Sequence, residues 1–211
     1  MKTKEKILSA ALNLFNQQGV STISLRDIAQ STGISKGNIG YHFPLKEDIV
    51  YQLYTQMKEE LTEISKEFAA ASDLLELLLK APVQTFDLSH KYRFLYTEYV
   101  HVLQRYPEIQ KEHQQEIIER KNQFKFIFSE LQSVRVLRDD VTEQQWNIIL
   151  QQSGLMRTMW FAYTAFQKDQ TANEQRWNYV EIVNQLLWPY LSPIGQQRYE
   201  EITSHIKLSL V

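Results

Sequence analysis

Apolar positions recur every three or four residues along almost the whole chain. Ile7, Leu8, Ala11, Leu12 and Phe15 form a first stripe, which Gly19 closes. Ile49, Val50, Leu53, Tyr54, Met57, Leu61, Ile64 and Phe68 repeat the rhythm for about six turns. Leu74 to Leu79 opens a strongly apolar helix that Pro82 is expected to kink or split. Phe86, Phe94, Leu95, Tyr96, Tyr99, Val102 and Leu103 continue the pattern until Tyr106-Pro107 breaks it. Glu108 to Val134 reads as a long polar helix with Ile109, Ile117, Phe124, Ile127, Phe128 and Leu131 turned inward. Thr142-x-x-Gln145 and Thr171-x-x-Glu174 are capping boxes that open two last major helices. Trp146, Ile149, Ser153, Met156, Trp160 and Tyr163 step along the first; Trp177, Val180, Val183, Leu187 and Tyr190 step along the second. Pro189 and Pro193 mark its end, and a short tail helix follows. No strand of length, internal repeat or low-complexity run interrupts this, so the expected fold is all-α.

The densest local signals lie in residues 24–43. Ser24 is placed to cap a short helix, with Asp27 three residues on as its capping-box partner. Ile28 and Ala29 give that helix a buried side. Gly33 ends it, because a left-handed residue commonly follows a helix. Ile34 packs inward, and Ser35 caps a second short helix. Two short helices about a glycine-containing turn read as a helix-turn-helix, whose second helix enters the DNA major groove. The face it offers carries Ser35, Lys36, Gly37, Asn38, Tyr41 and His42. Lysine suits phosphate or guanine, asparagine pairs with adenine, and small hydroxyls hold phosphate oxygens. Gly37 leaves room for the backbone to approach a duplex. Pro44 opens the next helix, where Lys46 in the first turn is placed to hold a phosphate beside free N–H groups. A plain helical hairpin with a polar outer face is the competing reading of the bare pattern.

Gly-Ile-Ser-Lys-Gly-Asn-Ile-Gly-Tyr-His-Phe-Pro-Leu-Lys-Glu-Asp-Ile (residues 33 to 49) resembles the signature of the TetR/AcrR family of bacterial transcription regulators. The resemblance extends back through Ser24, Ile28 and Ala29 to Ile7, Ala10, Ala11, Leu14, Phe15 and Gly19, about the first quarter of the chain. At the position of Gly40 the family pattern carries a large residue that touches the phosphate backbone. Here the aromatic is Tyr41, to which that contact passes. The resemblance implies a dimeric DNA-binding regulator whose C-terminal part reads a small-molecule or protein signal. It implies a helix-turn-helix domain over residues 1–47 and an effector-binding and dimerisation domain over 48–211. The periodic helix from residue 46 to 68 then belongs to both, and the small-residue break at Ala69 to Ser72 that follows it is the candidate boundary read from the residues themselves.

Net charge is −2, which suits DNA poorly until it is divided. Residues 1–50 hold six basic and four acidic side chains, whereas the rest holds seventeen and twenty-one. The basic excess therefore sits with the DNA-reading segment, where local field matters more than total charge. With no Cys in 211 residues there is no disulfide framework, no thiol nucleophile and no thiolate metal site. The N-terminus lacks an apolar signal core and no stretch approaches membrane-spanning length, so a soluble cytoplasmic protein is expected.

The body poses three further questions. Phe94, Tyr99, Trp160 and Tyr163 are candidates to line an effector pocket, since apolar rings with polar tips suit such sites. Periodicity marks no inward cluster of one charge sign, so a small apolar or aromatic effector fits best. The resemblance implies that the last two long helices meet their copies in a homodimer, with Trp146, Ser153, Trp177, Val180 and Leu187 at the interface. Glu98-x-x-His101 matches half of a di-iron carboxylate motif, but a second Glu-x-x-His is missing, so neither a metal nor a catalytic residue is assigned. The function expected is a ligand-responsive repressor that binds a near-palindromic operator as a dimer. The alternatives are a helical interaction protein that uses the DNA module as an address, and a helical carrier that never touches DNA.

Overall fold

The computed structural model describes residues 2–69, 72–165, 167 and 170–210, with the side chains of residues 67–69 outside that description. Phe68 and most of the expected break at Ala69 to Ser72 thus lie outside the residues whose side chains are described. The helices in order are α1 Thr3–Gln18, α2 Leu25–Thr32, α3 Lys36–His42, α4 Lys46–Ala69, α5 Leu74–Lys91, α6 Phe94–Thr97, α7 Tyr99–Arg105, α8 Pro107–Ser133, α9 Glu143–Thr164, α10 Ala172–Gln185 and α11 Pro193–Leu210. Among the described residues the only β-type pairing is the isolated bridge between Leu137 and Leu191.

Most boundaries follow from caps. Ser24, Ser35, Thr142 and Thr171 each accept a backbone N–H of the first turn, and Asp73 accepts two. Four expectations need correction. Pro82 does not split α5, which runs through it as one helix. The stretch from 83 to 105 is not continuous, because α5 stops at Lys91 and the turns of α6 and α7 follow separately. The tail helix is long, at 18 residues. Ile117, expected inward, is exposed on the outer side of α8.

Two apolar cores form. The first gathers α1 to α4 with Leu88, Tyr92, Phe94, Leu95, Val102, Tyr106 and Ile109. The second joins α5 with α8 to α11. Tyr96 packs against both. The N-terminal unit is therefore not sealed at residue 47; its core continues into α5 to α8. Polar contacts stitch the same seam. Asn16 donates to Lys91 O at 2.8 Å and accepts from Phe94 N at 3.0 Å. Ser21 donates its N–H and its hydroxyl to the Glu98 carboxylate at 3.1 and 2.8 Å.

Candidate nucleic-acid interface

The α2–turn–α3 unit is held from beneath and open above. Ile28 and Ile39 are fully buried and Phe43 nearly so, which pins one side of each short helix to the first core. Ser24 accepts from Asp27 N, while the Asp27 carboxylate takes both the Ser24 N–H at 2.8 Å and its hydroxyl at 2.6 Å. The bonds from Ser24 hold the Asp27 carboxyl below its usual range. Gly33 adopts the left-handed conformation at φ 68°, which a side chain rarely takes, and ends α2. The Thr32 hydroxyl accepts from Ile34 N at 3.3 Å and fixes the turn. Ser35 then accepts from Asn38 N at 3.2 Å and starts α3.

What remains outside is the expected reading face. Ser24, Ser35, Lys36, Gly37 and Asn38 are exposed, and Tyr41 stands 83% exposed with its ring edge-on to half-buried His42. A Cβ on Gly37 or Gly40 would meet nothing within 4 Å, so packing inside the chain does not demand glycine at either place. Their small size leaves the α3 backbone open to approach from outside.

Lys46 departs from its expected role. Its ammonium is turned inward and donates to Val20 O at 2.7 Å and Ile23 O at 2.9 Å. Two of its three N–H groups brace the α1–α2 loop against the start of α4, so it is not a free cation for phosphate. Lys4 is also engaged, with Gln52 Oε1 at 3.1 Å and over the Phe43 ring.

The four pocket candidates do not converge. Phe94 is fully buried in the first core against Phe15, with ring centroids 5.5 Å apart, and is core rather than lining. The Tyr99 hydroxyl pairs with His113 Nε2 at 2.8 Å. Trp160 and Tyr163 do meet, in a surface depression shared with Gln167, Asn178, Glu181 and Ile182. At about 170 Å³ it is smaller than a typical ligand pocket.

Three of the five expected interface residues are monomer core. Trp146 stacks on Phe128 with centroids 4.1 Å apart, Val180 is fully buried, and Leu187 lies in the second core. Trp177 is half-buried with Lys207 over its ring, and half-buried Ser153 donates to Leu150 O within its own helix. The apolar residues left outside are instead Ile148, Leu155, Met159 and Tyr163 along α9, with Ile182 of α10 beside Tyr163. Spacings of seven, four and four residues put the α9 four on one face. Glu98, half of the metal motif considered above, spends its carboxylate on Ser21, and His101 is exposed.

Known proteins match on both halves. The family model for bacterial regulatory proteins of the tetR family matches residues 7–53, and that for the bacterial transcriptional repressor TetR matches 52–199. The HTH-type transcriptional regulator AcrR of Shigella flexneri is 38% identical over 69 residues, 33% of this chain and 32% of its own length. The probable HTH-type transcriptional regulator YttP of Bacillus subtilis (strain 168) is 31% identical over 105 residues, 46% of this chain and 51% of its own. The chain thus spans about a third to a half of the length of these relatives. A TetR-family transcriptional regulator from Marinobacter aquaeolei VT8 superimposes with a TM-score of 0.82 at 25% identity, over 97% of this chain and 98% of that one.

Proposed function

The chain belongs to the TetR family of bacterial transcription regulators, and from that premise we propose that it is a ligand-responsive repressor that binds a near-palindromic operator as a homodimer. The observation that carries this reading is the α3 face. It is short, capped, anchored by Ile39, and presents Lys36, Asn38 and Tyr41 to solvent. Lys36 and the α3 N-terminus suit phosphate or guanine, and Asn38 suits adenine. Each subunit places residues 35 to 42 in one major groove, with the half-sites about one helical turn or slightly more apart. The exposed apolar stripe of α9, with Ile182, is the surface that a second copy covers. Signal passes along α4, which starts at the Lys46 brace and runs into the body. Ligand shifts DNA affinity only if it binds one spacing of the two reading heads better than the other. The chain acts on DNA in the cytoplasm, and no catalysis is assigned to it. Among the described residues no helix is long and apolar enough to cross a membrane.

The test is selection from random duplex DNA with the purified protein at two salt concentrations. Recovery of a near-palindrome with a steep salt slope is expected. Recovery of nothing above background overturns the regulator reading.

A further inference from the structure

The body draws two arginines half inside, and no carboxylate among the described residues answers either of them. Arg120 lies on α8 and Arg157 on α9. Neither has a salt-bridge partner among the described residues, and the Arg157 Nε is buried with no hydrogen-bond partner there. The two guanidinium groups lie within electrostatic reach of each other. Burial, with the Arg157 charge acting in the same sense, lowers the Arg120 pKa to about 9. The Arg157 charge also reaches the Tyr99 and Tyr179 hydroxyls. The carboxylate that acts on Arg120 is Glu116, but that group is already committed. It accepts from the Tyr54 hydroxyl at 2.9 Å and pairs with Lys58 at 3.5 Å and His113 at 3.8 Å.

Tyr96 and Tyr179 lie close enough to act on the Arg120 charge, and they belong to a cluster of rings. Tyr179 lies edge-on to Trp160 at 5.3 Å and beside Phe86 at 5.4 Å, and Phe161 sits 6.0 Å from Tyr96. The Trp160 Nε1 is a second buried donor without a partner. Buried charges in proteins are normally paired, because desolvating a lone ion is costly and a like-charged neighbour adds to the cost. Here the Arg157 Nε and the Trp160 Nε1 are donors left over on one helix, beside two cationic groups and close to aromatic rings. The complement to that set is an acceptor with negative charge and an apolar flank.

We infer that Arg120 and Arg157 form the anion-holding part of the effector site, and that the effector is a carboxylate or phosphate ester carried on an apolar or aromatic body. This rests on the ligand-responsive reading above, and it replaces the neutral apolar effector expected from sequence. The site is wired to the DNA module through one face of α8. Glu112, Glu116 and Arg120 are spaced by four residues and so share a face. Glu112 accepts from Tyr51 at 2.7 Å and Lys58 at 2.6 Å, and Glu116 accepts from Tyr54, all three on α4. An anion drawn between α8 and α9 displaces a helix that is already hydrogen-bonded to α4.

The test uses the full chain. Melting temperature and calorimetric titration are followed with butyrate, octanoate, benzoate and phenyl phosphate, each beside its neutral alcohol. At least one anion should raise the melting temperature and bind at least about tenfold more tightly than its alcohol. Benzoate against phenyl phosphate separates the carboxylate from the phosphate source. Arg120→Met and Arg157→Met should each weaken that binding at least about tenfold while melting at or above wild type, since they relieve the repulsion between two half-buried like charges. Arg157→Lys should keep part of the binding. The inference is overturned if no anion outbinds its alcohol, or if the Met variants bind like wild type. It is equally overturned if both melt lower, because the arginines would then be serving the fold. Duplex selection on the same samples keeps the two readings apart. Anion binding without operator binding sinks the regulator and leaves the site, and the reverse result sinks only the site.

Discussion

The DNA-reading module and the body handle charge in opposite ways. In α1 to α3 the buried residues are almost all apolar, and the polar groups of the turn either cap a helix or face water. In the body, two arginines lie half-buried with no ion pair among the described residues, the Arg157 Nε without any partner there, and Leu155, Met159 and Tyr163 lie outside. A module built the first way is complete as it stands and needs only an external partner for its face. A body built the second way is unfinished alone. On the reading proposed above, a second copy covers its exposed apolar surface and an anion satisfies its half-buried cations. The contrast separates a rigid reading head from a part whose state depends on what joins it.

The sharpest way to break that contrast is to spoil the outer stripe. Leu155→Asp puts a charge at its centre, 66% exposed in the single chain. Sedimentation should show a monomer with unchanged helix content. Operator affinity should fall on the order of 100-fold or more, because the second half-site no longer binds as part of one molecule. Phe126→Asp, on an equally exposed apolar site of α8, should leave the dimer intact. If Leu155→Asp stays dimeric, the stripe is not the interface.

The seam between the two regions is the next place to press. Gly19 has φ 85°, and a Cβ there would come within 2.2 Å of Glu98 Oε1. Gly19→Ala should cost about 2 kcal/mol in urea unfolding, from backbone strain and the displaced carboxylate together. Adding Glu98→Ala should recover part of the loss, since neighbouring sites are not additive. A Gly19→Ala protein as stable as wild type would show that Glu98 does not clamp the loop.

Within the module, two lysines ten residues apart should behave differently. Lys36→Ala should cost operator affinity and reduce the salt slope by about one per subunit. Lys46→Ala should leave that slope alone and lower stability by about 1 kcal/mol, because its ammonium binds two carbonyls and not phosphate. Equal loss of slope in both variants would return Lys46 to the DNA face.

That pair shows where sequence is legible and where it is not. Local signals carry far. The caps at Ser24, Ser35, Thr142 and Thr171 depend on neighbours three residues away, and each acts as its pattern implies. The reading face follows, because α3 has a single apolar anchor and everything else on it must face out. Lys46 misleads because its partners, Val20 O and Ile23 O, lie more than twenty residues back and come from a loop. Trp146, Val180 and Leu187 mislead for another reason. Helix α9, and α10 with the turn after it, carry apolar residues on more than one side, so periodicity finds a stripe without saying which side meets the monomer core. Arg120 sits in Glu119-Arg120-Lys121, which reads as solvated surface until α9 is packed against it.

The smallest effect concerns the tie between the regions. The bonds from Lys58 and then Tyr51 hold the Glu112 carboxyl below its ordinary value of 4.5. A depressed carboxyl adds stability that is complete above that ordinary value and is lost as pH falls through the depressed one. Tyr51→Phe removes one of the two bonds, at a partly exposed site where screening keeps the difference under about 1 kcal/mol. The melting gap between wild type and Tyr51→Phe should therefore be constant at neutral pH and should close as pH falls below about 4.5. A gap that persists at pH values where carboxyls are protonated would mean that the tyrosine acts by packing. The α8–α4 link would then transmit through shape, and acid would leave the coupling of body to reading head untouched.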